Sequence, residues 1–282
     1  MEEDANPKWN AFYSWRMALV NVDRVRPQVS VITLNYPERL NSMSFALVGD
    51  LYDAIAEVGA DNDCWVAVLT GAGRGFCSGL DLMDTSLAPG MEGLTRYRGG
   101  IKAMEHMSEV VPAMRRIPQP LIAAINGPAY GGGMCLSLGC DIRIAAESAV
   151  FCNAGILNGL TGTELGVSYL LPRAVGSSLA SEILLTGRKV DADEAARIGL
   201  VSRVVPDGTV VDVALDMAAA MCELSPYGLQ LTKQVLWANL EAGSLRAAID
   251  VENRNQLMAG HTGNLEEAKA AFREKRRPKY EE

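Results

Sequence analysis

Residues 121–140, LIAAINGPAYGGGMCLSLGC, set the architecture of this chain. The five apolar residues 121–125 are typical of a buried strand. A loop with Pro128 and three consecutive glycines follows, and the apolar segment 131–138 predicts a buried helix. Asn126, Pro128 and the glycines interrupt the apolar run, so a single membrane-spanning helix is disfavoured. The stretch therefore predicts a strand, a glycine loop and a helix in direct succession.

A second glycine loop lies upstream, after the same kind of strand. Residues 65–70 (WVAVLT) form an apolar, β-branched run, and the loop 71–82 (GAGRGFCSGLDL) follows it. Glycine lets backbone N–H groups face a ligand, because no Cβ blocks the approach and φ is free to be positive. The downstream loop runs into a helix, whose N-terminus favours negative charge. Neither loop has the Gly-Lys-Ser/Thr of a phosphate-binding loop, and either one alone also fits a tight turn.

The order of predicted elements indicates an α/β fold. Strands are predicted at 18–24, 29–35, 65–70, 121–125 and 141–146. Helices are predicted at 44–58, 101–117 and 131–138, and beyond residue 205 the pattern is helical only, at 209–224, 227–241, 244–259 and 264–276. Strands that alternate with helices favour parallel pairing with right-handed crossovers. We predict an N-terminal extension (1–17), an α/β core (18–205) and a C-terminal helical region (206–282).

Composition excludes several classes of protein. The chain has 282 residues, of which 49% are hydrophobic and 21% charged, which is typical of a globular protein and not of a disordered or collagen-like chain. A formal charge of −8 provides no basic field for nucleic acid or anionic lipid, so we expect neither as a partner. Two histidines leave little material for a metal site or a Ser-His-Asp triad. Six cysteines without a CxxC pair, after an acidic N-terminus, predict a reduced cytoplasmic protein.

Five blocks, in order along the chain, resemble the crotonase (enoyl-CoA hydratase/isomerase) superfamily. They are residues 37–43 (PERLNSM), 75–82 (GFCSGLDL), 125–133 (INGPAYGGG), 185–201 and 272–278 (FREKRRP). The segment 161–176 looks particularly like actinobacterial enoyl-CoA hydratase paralogues. The resemblance implies a spiral of ββα units with a C-terminal helical trimerisation region, assembled as a homotrimer or a dimer of trimers. It also implies acyl-CoA thioesters as substrates, with no further cofactor and no metal.

The resemblance assigns roles to individual residues. The thioester oxygen would be held by the backbone N–H groups of Leu80 and Gly132, which stabilise the charge that develops on that oxygen during proton abstraction. Lys275 matches a lysine that a neighbouring subunit can bring toward the CoA phosphates. The positions that the resemblance places against CoA or substrate are Gly79, Asp81, Gly131, Cys135, Gly155 and Lys275.

The acids of a typical hydratase are missing from this chain. Such an enzyme positions water with two glutamates, and here Cys135 and Gly155 occupy their places. Neither residue is a carboxylic acid, so we expect ordinary short-chain hydration to be very slow. For Cys135, two interpretations stand: a thiol whose pKa is lowered by the helix N-terminus, or a small buried hydrophobe.

Glu164 is the one candidate acid left nearby. It aligns, with a one-residue length difference, to an aspartate that serves dienoyl-CoA isomerases as an acid/base and aryl-CoA dehalogenases as a nucleophile. Thr161 three residues earlier also makes Glu164 part of a capping-box pattern, in which its carboxylate would only satisfy a helix N–H. In the catalytic case, an apolar pocket would raise its pKa and make it a usable proton shuttle.

The sequence thus predicts an enzyme of the enoyl-CoA hydratase/isomerase type, with a backbone oxyanion hole and Glu164 as its sole carboxylate acid/base. Two alternatives stay open. One is a non-catalytic acyl-CoA-binding protein that keeps both loops and has lost the acids. The other is a different crotonase reaction, such as dienoyl isomerisation, dehalogenation or carbon–carbon bond cleavage.

Overall fold

Two β-sheets of unequal size form the framework in a computed structural model, which describes residues 18–281. The predicted N-terminal extension, 1–17, lies outside the described residues. The strands are β1 (Val20–Arg26), β2 (Val29–Leu34), β3 (Val66–Gly71), β4 (Leu121–Ile125), β5 (Ala129–Tyr130), β6 (Ile142–Ala146), β7 (Val150–Cys152), β8 (Val190–Asp191) and β9 (Arg203–Val205). Six of them form the large sheet in the order β1-β2-β3-β4-β6-β9, and β5, β7 and β8 form the small one.

Helices connect and cover these sheets. They are α1 (Phe45–Ala60), α2 (Arg96–Ser108), α3 (Val110–Arg116), α4 (Gly132–Gly139), α5 (Val167–Val175), α6 (Ser177–Thr186), α7 (Ala192–Arg197), α8 (Val210–Met221), α9 (Pro226–Asn239), α10 (Leu245–Gly260) and α11 (Asn264–Glu274). The Ser44 side chain caps the start of α1, since it accepts a hydrogen bond from the Leu47 N–H.

The chain alternates between the sheets in a repeated strand–strand–helix pattern. β1 and β2 form an antiparallel pair, and every further neighbour in the large sheet is parallel. After β4 the chain adds β5 to the small sheet and returns through α4 to β6, and it then adds β7 to the small sheet. Parallel neighbours require such crossovers. This repetition confirms the predicted mixed α/β architecture.

The central strands β2, β3 and β4 of the large sheet are buried on both faces, which explains their near-continuous apolar sequences. On one face, Val31, Val68 and Ile122 pack with α8 in a small core. On the other face, residues such as Ile32 and Leu69 belong to the main core, together with α1, α3 and α4. The two glycine loops leave the sheet at the carboxyl ends of β3 and β4, which are parallel neighbours. The two loops therefore emerge side by side.

The prediction of one helix over 101–117 is wrong. Two helices stand there, α2 and α3, and they meet at Glu109. Pro112 explains the break, because a proline inside a helix lacks an N–H donor and clashes with the carbonyl four residues earlier, here that of Ser108.

The C-terminal part of the described chain is helical, as predicted, from α8 to α11. α10 carries no buried residue within this single chain, and the side chains of Leu245 and Leu257 are exposed. Among residues 18–281, no helix has the length and apolar character needed to cross a bilayer.

Candidate active site

The two glycine loops make backbone contact. Cys77 and Ala129 form an isolated parallel bridge, in which the Tyr130 N–H donates to the Cys77 carbonyl at 2.9 Å. The bridge extends the contact between the loops beyond the end of the large sheet. An ideal β-carbon on Gly133 would lie 2.1 Å from the Cys77 carbonyl oxygen, so only glycine fits at this crossing.

Gly79 lies at a second close approach of the two loops. Its φ is +86°, and a β-carbon there would lie 2.6 Å from the Tyr130 carbonyl oxygen and 3.3 Å from the Gly132 nitrogen. Gly131, with φ of +50°, starts α4, and its N–H donates to the Cys152 carbonyl at 2.8 Å. Glycine is needed at 79 for both reasons, conformation and space. The loops thereby bring residues 79–80 next to the first turn of α4.

The N–H of Leu80 points away from its neighbouring strand segment. Leu80 forms a parallel bridge with Met43, in which the Met43 N–H donates to the Gly79 carbonyl at 2.7 Å and the Asp81 N–H to the Met43 carbonyl at 3.1 Å. In this pattern the central residue directs its own N–H to the opposite side. Gly132 is the first residue of α4, where N–H groups have no partner within the helix. Within residues 18–281, neither N–H donates a hydrogen bond, so both are available to a ligand.

Glu164 lies beside this pair of loops. An ideal β-carbon on Gly131 would be 3.1 Å from its Oε1 atom. The side chain is half-buried, and burial raises the pKa of its carboxyl above the ordinary value. In the described part of the chain the carboxylate accepts no hydrogen bond, and the titratable groups that feel its charge are the buried thiols of Cys77 and Cys135. The carboxyl group is thus free to exchange a proton.

The capping-box interpretation of Glu164 is wrong. α5 begins only at Val167, with Gly166 at its N-cap and no side-chain cap. The Thr161 hydroxyl donates to the Thr163 carbonyl at 3.0 Å and accepts no hydrogen bond from a helix N–H in the described residues. Two consecutive residues with positive φ, Leu165 at 45° and Gly166 at 84°, separate Glu164 from the helix. The chain therefore turns sharply after Glu164, and this turn prevents the box from forming.

Cys135 behaves as a buried hydrophobe. Its side chain is fully buried in the main core, and burial raises the pKa of its thiol well above the ordinary value. The expected lowering by the helix N-terminus does not occur, since desolvation disfavours the thiolate more strongly. The Sγ atom donates only to the Glu164 carbonyl, at 3.5 Å.

Gly155 sits where no side chain fits. An ideal β-carbon there would lie 2.6 Å from the Thr161 carbonyl oxygen. A glutamate introduced at this position would have to displace the backbone of the segment that leads to Glu164.

Asp81 supports its own loop. Arg39 contacts its Oδ1 at 2.5 Å, the Ser42 hydroxyl donates to Oδ2 at 3.0 Å, and the Met83 N–H donates to Oδ1 at 3.0 Å. A cavity of about 530 Å³ lies next to this ion pair and is also lined by Tyr36. The Asp81 carboxylate is fully engaged, so only its backbone and the adjacent cavity are available to a ligand.

Lys275 is not brought to the loops by this chain. It is exposed after α11, in the left-handed conformation with φ of 54°. Within residues 18–281 no hydrogen bond or ion pair joins it to either glycine loop.

Two residues that support the site were not predicted as site residues from the sequence. Asn41 is fully buried, and its Nδ2 group donates to the carbonyls of Gly75 and Phe76 at 2.9 and 3.2 Å. The Met43 Sδ atom would be 2.4 Å from a β-carbon on Gly132. Both residues belong to the block PERLNSM, so the sequence marked them as part of a motif but did not show what the motif does.

A sequence profile described as enoyl-CoA hydratase/isomerase matches residues 24–282. The chain belongs to this family. The enoyl-CoA hydratase/isomerase family has the crotonase fold, and its members act on acyl-CoA, so the resemblance seen in the five blocks is confirmed.

Individual relatives of this chain support the assignment to the enoyl-CoA hydratase/isomerase family. A probable enoyl-CoA hydratase, EchA12, of Mycobacterium bovis is 52% identical over 269 residues, which are 95% of this chain and 94% of the relative. A solved structure of a probable enoyl-CoA hydratase/isomerase from Mycobacterium abscessus matches with a TM-score of 0.88 at 46% identity, over 93% of this chain and 98% of that one. A monofunctional enoyl-CoA isomerase from M. smegmatis matches with a TM-score of 0.71 at 48% identity, over 83% of this chain and 99% of that one.

Proposed function

We propose that the protein is an enoyl-CoA isomerase, in which Glu164 is the sole carboxylate acid/base. The observation that carries the proposal is the half-buried Glu164 carboxyl beside Gly131, next to two backbone N–H groups without partners. A single carboxyl group that takes a proton from one carbon and delivers a proton to another is sufficient for double-bond migration.

The proposed reaction has two proton transfers. Glu164 removes a proton from the carbon between the thioester and the carbon–carbon double bond, and the electron pair of that C–H bond moves onto the thioester oxygen to form a dienolate. The N–H groups of Leu80 and Gly132 stabilise the resulting enolate, as preorganised donors do at a developing oxyanion. Protonated Glu164 then returns the proton to another carbon of the chain, and the double bond has moved. The raised pKa of the Glu164 carboxyl makes its carboxylate a stronger base for the first transfer.

Hydration is the less favoured reaction. It needs groups that hold and deprotonate a water molecule, and Cys135 is a neutral buried thiol while Gly155 has no room for a side chain. The monofunctional isomerase from M. smegmatis, at 48% identity, adds weight to isomerisation.

CoA binding and assembly belong to the same proposal. We place the adenine against the backbone of 79–81, beside the cavity at Arg39 and Asp81. The uncovered α10 fits a trimer or a dimer of trimers, in which Lys275 of a neighbouring copy reaches the CoA phosphates. Light scattering of the purified protein tests the assembly: a monomer at all concentrations would contradict it.

The test of the reaction uses 3-hexenoyl-CoA in D₂O. Conversion to the conjugated 2-enoyl thioester is followed by ultraviolet absorbance, and deuterium in the acyl chain by mass spectrometry. We expect turnover with the natural chain and with Cys135→Ala, the matched control, and none with Glu164→Gln. Tight binding without turnover or exchange across a panel of enoyl-CoA thioesters would instead identify a non-catalytic acyl-CoA binder. Brisk hydration of crotonyl-CoA would refute the proposal.

A further inference from the structure

Asn153 is a fully buried polar residue that the proposed reaction does not use. It directly follows β7, and its Nδ2 group donates to the Gly162 carbonyl at 2.9 Å. Within the described residues its Oδ1 atom has no hydrogen-bond partner. A buried amide oxygen without a hydrogen-bond partner lowers the stability of the fold. We therefore expect the hydrogen bond from the Nδ2 group of the same side chain to have a function that offsets this loss of stability.

Asn153 stands between the two halves of the site. The preceding residue, Cys152, accepts a hydrogen bond from the Gly131 N–H at 2.8 Å and thereby holds the start of α4. On the other side, Gly162 is two residues before Glu164. The chain from Cys152 through Asn153 to Gly162 therefore links the candidate oxyanion donor to the candidate acid.

Residues 154–166 form the segment that carries Glu164, and this segment has few other hydrogen bonds to β7. The hydroxyls of Thr161 and Thr163 bond only within the segment, to each other and to the Thr163 carbonyl. The thiol contact from Cys135 to the Glu164 carbonyl, at 3.5 Å, is weak. In residues 18–281, the Asn153 amide is the side-chain hydrogen bond that joins this segment to the small sheet.

We propose that Asn153 is a positioning residue, which sets the distance between the Glu164 carboxyl and the N–H groups at the start of α4. This inference rests on the proposed function of Glu164. A displacement of about 1 Å at a reacting group lowers rates by up to roughly 10²-fold. Loss of the Asn153 amide is therefore expected to lower kcat by about 10–100-fold, with KM for the CoA thioester changed less than about threefold, since residue 153 lies outside the proposed CoA contacts.

The test compares Asn153→Ala with Asn158→Ala. Asn158 is exposed in the same segment, and its side chain makes no hydrogen bond within the described residues, so it is a matched control. Both variants are assayed with 3-hexenoyl-CoA well below their thermal midpoints. Should Asn153→Ala fail to fold, Asn153→Leu keeps the branched shape of the side chain with larger end groups and still lacks the donor.

A second readout needs no substrate. The Glu164 carboxyl is titrated by NMR in protein labelled at glutamate, with Glu164→Gln to assign the signal. A loosened segment admits water, so we expect the pKa of Glu164 to fall toward its ordinary value in Asn153→Ala and to stay raised in Asn158→Ala. The titratable groups that feel the charge of Glu164 are the buried thiols of Cys77 and Cys135, and neither variant replaces them.

Two results separate the possible failures. If Asn153→Ala loses thermal stability while its kcat and the pKa of Glu164 stay at the natural values, Asn153 is merely structural and the inference is overturned. If Glu164→Gln keeps full activity, the proposed function itself fails, whatever Asn153→Ala does.

Discussion

Gly79→Ala tests whether contact between the glycine loops is what makes the site. The new methyl group would lie 2.6 Å from the Tyr130 carbonyl oxygen, and the residue would have to keep a φ of +86°. Left-handed backbone costs roughly 1–2 kcal/mol for an L-residue other than glycine. Relief of the clash moves the loops apart by roughly 0.8 Å, given ordinary van der Waals separations. This displacement acts directly between Leu80 and Gly132.

We expect two effects of this change. The thermal midpoint should fall by roughly 2–8 °C, at about 2–4 °C per kcal/mol for a chain of this size. Turnover should fall by about 10²–10³-fold, as when one oxyanion donor is lost. Thermal unfolding and the 3-hexenoyl-CoA assay measure the two effects separately.

Gly208→Ala is the control for backbone strain. Gly208 has φ of +80°, and no atom lies within 4 Å of its ideal β-carbon. This variant should lose stability from its backbone conformation alone and keep its activity. If Gly79→Ala retains kcat within about twofold of the natural chain, the loops do not form the site in the way that we describe.

Three further variants probe the buried groups. Glu164→Gln should raise the thermal midpoint at about pH 8 and not at about pH 4, because a raised carboxyl pKa gives stability that is present below the unfolded value and lost as pH rises through the folded one; an equal midpoint shift at both pH values would contradict this. Cys135→Ala should keep kcat within about twofold, and Cys135 should resist iodoacetamide at neutral pH by mass spectrometry, since burial holds its thiol protonated; rapid labelling of the folded protein would show a reactive thiol instead. Lys233→Met should destabilise the fold by about 3–5 kcal/mol in urea unfolding, because it leaves the Asp141 carboxylate, 3.2 Å from Lys233 Nζ, without its buried partner; Asp141→Asn combined with it should recover part of the loss.

Much of the fold could be predicted because the central strands of the large sheet are buried on both faces, so their sequences are continuously apolar. The prediction of a strand at 121–125 is confirmed to the residue, and that at 29–35 to within one. Strands β5, β7, β8 and β9 were not predicted, since two or three residues show no periodicity. Helix α2 was merged with α3 because the apolar spacing continues through Pro112.

The part of the site that the backbone forms could be predicted from the sequence. The part that depends on the direction of side chains could be predicted less well. The glycines at 79 and 131 announce a close approach of two chain segments, and both have positive φ. The role of Glu164 depends on the left-handed backbone conformation of Leu165, which no sequence pattern predicts. The sequence alone therefore could not exclude the capping box. Asn153 gave no signal at all, since its importance depends on a carbonyl nine residues away.

A crystal structure with acetoacetyl-CoA bound would show directly whether the two backbone N–H groups form an oxyanion hole. We expect the thioester oxygen to accept hydrogen bonds from the nitrogens of both Leu80 and Gly132, at about 2.7–3.2 Å, with the Glu164 carboxyl facing the acyl chain. A thioester oxygen bound elsewhere, or a Glu164 carboxyl turned away from the acyl carbons, would contradict the proposed site.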